Sequence, residues 1–333
     1  MNEFLKGIID AIYSVLGNYG WSIMVFTLLI RIILLPFDYK SRVSMRRMSE
    51  VQPKVAEIQK KYAKDQTKMQ QKISELYKKE RVNPLSGCLP LLLSYPILIA
   101  MFAAMRMIAN EQIVHQVISI FQNPDQLPAF EGWLWVKNIW MPDSPFSSTM
   151  PDINTIRQIS PDIWQKIMTP EVIATLPGAL SELTQESFSS ANYSATITQL
   201  FNALSELQVY RDATSILPGW TFNLMITQFS IMKAYNGFFL LPILSAVSQF
   251  AMTKLQPATQ SPTADNASNS TGKFMNYFFP LFSLWICSSY NGAFALYWVT
   301  SNLIAMVQTV IINKILDHKK QNQSAIQVEG GIK

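Results

Sequence analysis

Charge is scarce in this 333-residue chain: only 15% of its residues are Asp, Glu, Lys or Arg, where soluble domains carry roughly 25%. So little polar surface does not wrap a water-soluble globule of this length. Cysteine is scarcer still. Cys88 and Cys287 are the only two, and both sit inside apolar runs. That excludes a disulfide framework and leaves them as small packing residues. Two histidines, His115 and His318, are too few for a histidine-rich metal site, and no HExxH or CxxC spacing occurs. Glycine-rich phosphate loops and GxSxG elbows are missing as well. Composition thus argues against a soluble enzyme, and no catalytic residue, metal or cofactor is expected. What the chain does have is apolar: 49% hydrophobic residues with 19 Phe, 16 Met and 8 Trp. These are bunched into runs about 20 residues long, the length of a membrane span. The chain reads as an integral membrane protein.

The few charges are segregated. Residues 40–85 hold thirteen Lys/Arg against five Asp/Glu, a net +8, whereas residues 108–235 hold five against eleven, a net −6. The positive-inside rule makes the first segment cytoplasmic and the second external. Flanked directly by spans, the basic segment reads as a topology determinant that also meets anionic lipid or ribosomal RNA.

Read in order, the pattern predicts an all-α polytopic protein with five transmembrane helices. Residues 1–18 form an external interfacial helix, with Phe4, Leu5, Ile8, Ile9, Ile12, Val15 and Leu16 on one face. The first span covers 19–39, ending near Pro36 and Asp38. Residues 40–84 make a cytoplasmic hairpin. Its stripes, Val51, Val55, Ile58 and Tyr62, then Met69, Ile73, Leu76 and Tyr77, recur at helical spacing and are expected to pack on each other. The second span covers 85–107. The acidic external domain, 108–235, is mainly helical, clearest at 195–210, with 216–232 an interfacial shoulder. The third span is 236–255, followed by a cytoplasmic linker at 256–273 rich in small and polar residues. The fourth and fifth spans share 274–313, turning at Asn291–Gly292, and a cytoplasmic tail covers 314–333. This arrangement leaves the N-terminus external and the C-terminus cytoplasmic.

Arg31 is the most informative residue. It lies deep within WSIMVFTLLIRIILLPF, where an arginine costs roughly 2.5–3.5 kcal/mol even on a lenient insertion scale. None of the other four expected spans carries an acid to pair with it. Two readings stand: the side chain snorkels toward Asp38, about 10 Å along the helix, or it faces a water-filled cavity. Polar residues on other spans favour the cavity. Thr27 lies one turn before Arg31, Ser94 is on the second span, and Ser245, Ser248 and Gln249 share the third. Trp298, Ser301, Asn302 and Gln308 fall near one stripe of the fifth. Each alone is more often an interhelical hydrogen bond than a functional group. With an unpaired cation, they suggest a hydrophilic recess that attracts negative charge.

Several separated motifs resemble the YidC/Oxa/Alb family of membrane protein insertases. They are Thr27-Leu28-Leu29-Ile30-Arg31, Pro36, Gln52-Pro53-Lys54, and Asn83-Pro84-Leu85-Ser86-Gly87-Cys88-Leu89-Pro90. Ala295-Leu296-Tyr297-Trp298-Val299-Thr300-Ser301-Asn302 matches the family's closing motif. The resemblance covers 20–107 and 236–313 in register and points to a short, Gram-positive-like form with an enlarged external segment. It implies a hydrophilic groove, open to the cytoplasm and to lipid, closed outside and holding Arg31. The groove residues it implies are Arg31, Thr27, Ser94, Gln249 and Trp298, and the polar positions Ser248, Ser301 and Asn302 complete the expected groove. Nascent membrane proteins would be the clients, in a bacterial plasma membrane. Lipid is an expected partner, the ribosome and a Sec-type translocon are further candidates, and no small-molecule substrate is expected. The rival class is an anion-binding transporter or channel built on Arg31. It calls for broken helices in paired repeats or a ring of charges, and neither is visible.

Overall fold

A computed structural model describes the backbone of residues 2–83, 89–224, 227–255 and 267–330. The chain is mainly helical: α1 (Asn2–Leu16), α2 (Tyr19–Lys61), α3 (Gln66–Lys79), α4 (Leu89–Gln122), α5 (Ile153–Arg157), α6 (Pro161–Ile167), α7 (Pro170–Ile173), α8 (Tyr193–Glu206), α9 (Gln208–Thr214), α10 (Leu240–Leu255), α11 (Ala267–Ser289) and α12 (Gly292–Gly330). Two strands, β1 (Ile216–Leu224) and β2 (Thr227–Met232), interrupt the series. Among the described residues, three helical stretches are long and apolar enough to cross a membrane: Tyr19–Lys61, Pro96–Gln122 and Gly292–Asn322. The 16-residue α10 is a shorter apolar helix.

The chain forms two compact units. The first comprises Met1–Val25, Ala100–Ile243 and Trp285–Tyr297. Its α1 is tethered by Lys6, which bonds Asp10 at 2.7 Å and Glu111 of α4 at 3.1 Å. Burial pulls the Lys6 ammonium down, but hydrogen bonds to the two carboxylates outweigh it and hold its pKa above the ordinary lysine value. The other face of α1 leaves Phe4 and Val15 exposed. Gly20 is required by a close approach, because a Cβ there would overlap the Trp133 ring.

Between α4 and α10 the insertion is tied by a buried polar knot. Asn236 Nδ2 donates to the carbonyls of Asn138, Met141 and Pro142 at 2.8–3.1 Å, and its Oδ1 accepts from Asn138 N at 2.7 Å. Asn138 Nδ2 in turn donates to Gln116 Oε1 and to Thr149 O. The buried Asp143 accepts from Phe239 N, Leu241 N and Trp135 Nε1, closing the N-terminus of α10 with a negative charge. Gly237 sits so close to Asp143 Oδ1 that any side chain there would displace the carboxylate.

The segment 216–232, expected as an interfacial shoulder, is a two-stranded antiparallel ribbon. Thr221 faces Ser230 and Phe222 faces Phe229, with the register shifted between Ile216 and Thr221. Its uncharged aromatic and β-branched residues suit strands as well as an interfacial helix, and Pro218-Gly219 breaks helical continuity. The expected helix over 195–210 is present but splits at Leu207, whose backbone is extended. α4 also continues beyond the expected exit at Met107, because no proline or glycine interrupts residues 97–122.

The second unit comprises Phe26–Ile99, Leu244–Leu284 and Trp298–Lys333. Its hairpin is formed by the end of α2 and by α3, which starts at the N-cap Asp65, whose side chain accepts from Lys68 N at 3.0 Å. The two stripes meet: Met48, Val51 and Val55 form one cluster with Met69, Ile73, Tyr77 and Val82, flanked by Ile58, Tyr62 and Leu76. Helix α2 does not end at Pro36. It passes through both Pro36 and Pro53 to Lys61. A proline inside a helix is tolerated where neighbours hold both sides, and α12 bonds α2 before and after Pro36.

Candidate functional site

Helices α2 and α12 run side by side in the same direction. Arg31 meets Ser301, Arg42 meets Thr309, Arg46 meets Asp317 and Glu50 meets Lys320. The nearly constant separation in sequence along four successive pairs requires a parallel pairing. Towards the far end the contacts are exposed ion pairs, of small energetic weight. Higher up they are cation-to-hydroxyl bonds in an apolar setting.

Arg31 is half-buried. Its Nη2 donates to Ser301 Oγ at 2.6 Å, and its carbonyl accepts from Gln308 Nε2 at 3.0 Å. Its partner is thus a neutral hydroxyl, which orients the guanidinium without cancelling its charge. Thr27, one turn earlier, is 1% exposed. The next residue of α12, Asn302, turns to α10: its Nδ2 donates to Ser248 Oγ at 3.1 Å and to Gln249 Oε1 at 3.2 Å. Ser248 donates to Ser245 O, and Ser245 Oγ donates to Ser283 O of α11. Trp298 lies one turn before this pair on α12 and is half-buried. The side chain of Ser94 lies outside the described residues.

Five of the expected residues are therefore joined by hydrogen bonds: Arg31 with Ser301, and Asn302 with Ser248 and Gln249. Consecutive positions on α12 link the two sets. The sequence reading missed Arg42 and took Asp38 only as the end of the span and a snorkelling target for Arg31. Arg42 Nη2 donates to the buried Thr309 Oγ1 at 2.5 Å. Asp38 senses the charge of both arginines but forms no contact ion pair among the described residues. Their spacing from Arg31, seven and eleven residues, was the available signal, since it returns to one helix face. Among the described residues, Ser41 Oγ, Arg42 Nη1 and Gln308 Oε1 of this seam are buried without a hydrogen-bond partner.

Chemically the seam offers cations, hydroxyls and amides, with no nucleophile–base pair among the residues named here. Among the described residues, no cluster of three His, Cys, Asp or Glu is placed to hold a metal. Cys287 is fully buried.

Comparison with known proteins agrees with the motifs. The 60Kd inner membrane protein family matches residues 11–203 and 194–321. The chain is 24% identical over 321 residues to a membrane protein insertase YidC of Helicobacter pylori, covering 96% of this chain and 38% of the relative. It is 26% identical over 318 residues to that of Wolinella succinogenes, again 96% of this chain and 38% of the relative. The Fusobacterium nucleatum protein of that name is 42% identical over 106 residues, 32% of this chain and 52% of the relative. The chain thus spans well under two thirds of the length of these relatives. With its long apolar helices and this family match over most of its length, the chain is a multi-pass bacterial membrane protein belonging to the 60Kd inner membrane protein, or YidC/Oxa/Alb, family.

Proposed function

We propose that the chain inserts nascent membrane proteins and helps them fold, without enzymatic chemistry, through a hydrophilic groove built on the seam of α2, α10 and α12. The observation that carries this reading is Arg31, a cation within an apolar helix held by a serine hydroxyl. A carboxylate partner would neutralise it; a hydroxyl leaves its field available to a passing negative charge.

Moving a hydrophilic tail across about 30 Å of hydrocarbon is prohibitive unless the path is shortened and wetted. A groove reaching part-way in would do both. Arg31 would draw acidic residues of the client's tail into it, an attraction strengthened by low-dielectric surroundings. The client's hydrophobic segment would then slide into lipid, and its burial at roughly 25 cal/mol per Å² would drive the step. The basic hairpin would meet the client first, and the ribosome and a Sec-type translocon are candidate partners. In the proposed topology five spans leave the N-terminus external and the C-terminus cytoplasmic. The parallel course of α2 and α12 supports giving the first and fifth spans one direction.

The test is insertion of single-span clients by the purified chain in liposomes, with acidic and neutral tails compared. Arg31→Ala is expected to reduce acidic-tailed insertion about tenfold, equivalent to ~1.4 kcal/mol of lost attraction, with little change for the neutral tail. Arg31→Lys retains much of the activity, although lysine is a more strongly hydrated point charge. Equal loss on both clients at normal protein abundance would sink the electrostatic role.

A further inference from the structure

Arg31, Asp38 and Arg42 form a stripe on α2. At 100° per residue the second and third fall within about 20° of the first, at roughly 10 and 16 Å along the axis. The stripe faces α12, since Arg31 bonds Ser301 and Arg42 bonds Thr309. Both partners are buried, Thr309 completely. Between and beside these arginines, Ile32, Ile33, Leu35 and Phe37 are exposed and uncharged. The cations therefore lie on the helix–helix side of α2, and its apolar face is left for lipid.

Arg42 differs from Arg31 in one respect. Its Nη1 is out of solvent and has no acceptor among the described residues. A guanidinium N–H in that state is costly, and an arriving carboxylate, the acceptor that fits its fork best, removes the cost. Asp38, between the two arginines and in contact with neither, brings two cations down to a net charge of +1 for the stripe.

We propose that Arg42 is a second carboxylate-binding station, met before Arg31 by an acidic client tail, and that Asp38 is the competing anion that sets how tightly such tails are held. This deepens the insertase reading and rests on it. A tail entering from the Arg42 end replaces the weak field of Asp38 at one arginine, then at the other. Two stations at different depths let it advance without leaving one deep electrostatic trap. Removing Arg42 weakens entry, whereas removing Asp38 strengthens binding at both arginines.

The experiment measures insertion of an acidic-tailed and a neutral-tailed single-span client by the full chain in liposomes, and reads their ratio. Arg42→Gln is expected to lower the ratio about threefold, the size of a partly exposed charge pair. Asp38→Asn is expected to raise it by a similar factor. The double variant restores a net +1 and brings the ratio back towards wild type. A ratio unmoved by either single substitution overturns the proposal, as does parallel loss on both clients, which marks a structural role. Repeating the series in purely zwitterionic lipid separates the client from a lipid headgroup: a shift seen only with anionic lipid overturns the assignment to client carboxylates. Failure of the wild-type chain to insert even the neutral client would instead overturn the insertase reading itself.

Discussion

Two buried polar clusters, one in each compact unit, are finished to different degrees. In the first unit, every side-chain nitrogen and oxygen of Asn138 and Asn236 has a partner and the Asp143 carboxylate accepts three N–H groups, so that only the bordering Thr149 Oγ1 and Trp140 Nε1 lack one among the described residues. In the second, the α2–α12 seam leaves Ser41 Oγ, Arg42 Nη1 and Gln308 Oε1 unanswered among the described residues and its arginines on neutral hydroxyls. A fully satisfied network rigidifies; a partly satisfied one keeps capacity for a ligand. On the proposed function, the difference separates a staple that closes the insertion from a surface open to a client.

The largest expected effect lies in the staple. Asn236→Ala would orphan Asn138 N–H and the Pro142 carbonyl, while the Asn138 and Met141 carbonyls keep Met141 N and Gly292 N as donors; each orphaned group is worth roughly 1–3 kcal/mol when buried without a partner. A loss of about 3 kcal/mol or more is expected, read as an early thermal transition in tryptophan fluorescence, since five of the eight tryptophans lie in 108–235. Gly237→Ala, which drives a methyl into Asp143, should lower the same transition. If both variants melt like wild type, the knot is no staple and the contrast collapses.

Ser301→Ala probes the other side. It removes the acceptor of a half-buried arginine, so a stability change within about 1 kcal/mol is expected. Preference for acidic-tailed clients should fall about twofold as the guanidinium loses its orientation. A stability loss matching that of Asn236→Ala would make the seam a staple too.

The smallest effect calibrates the surface. Lys54 and Glu80 meet at 2.6 Å on the exposed hairpin. The hydrogen bond and the charge of Lys54 hold the Glu80 pKa below the ordinary 4.5. A depressed carboxylate pKa contributes stability above the unfolded value, and that contribution fades as pH falls through the folded value. Acidification below pH 4.5 should therefore loosen the hairpin slightly, and Glu80→Gln should remove that part of the pH response. Proteolysis of the hairpin across pH would read it; identical profiles would leave the pair without a role.

Local periodicity anticipated much of this. Val51, Val55, Met69 and Ile73 repeat at helical spacing, and the two stripes they define do form the hairpin core. Arg31 stood out because an arginine in an apolar run is expensive anywhere. Asp38 and Arg42 did not, because each also reads as an ordinary charge where a span meets a basic loop. Only the bond from Arg42 to Thr309 turns them towards α12. The ribbon at 216–232 went unread because uncharged aromatic and β-branched residues suit an interfacial helix and a strand pair alike.

Sequence alone determined the solvent this chain belongs in, which stretches are apolar, where positive charge gathers and that Arg31 needs an explanation. Those properties belong to single residues and to spacings of three or four, so composition and periodicity carry them. Tertiary structure decided that α2 and α12 run parallel, that Asn138 and Asn236 meet across 98 residues, and that the arginines rest on hydroxyls. Each depends on which distant polar atoms come within 3 Å of one another, a distance that local pattern does not encode.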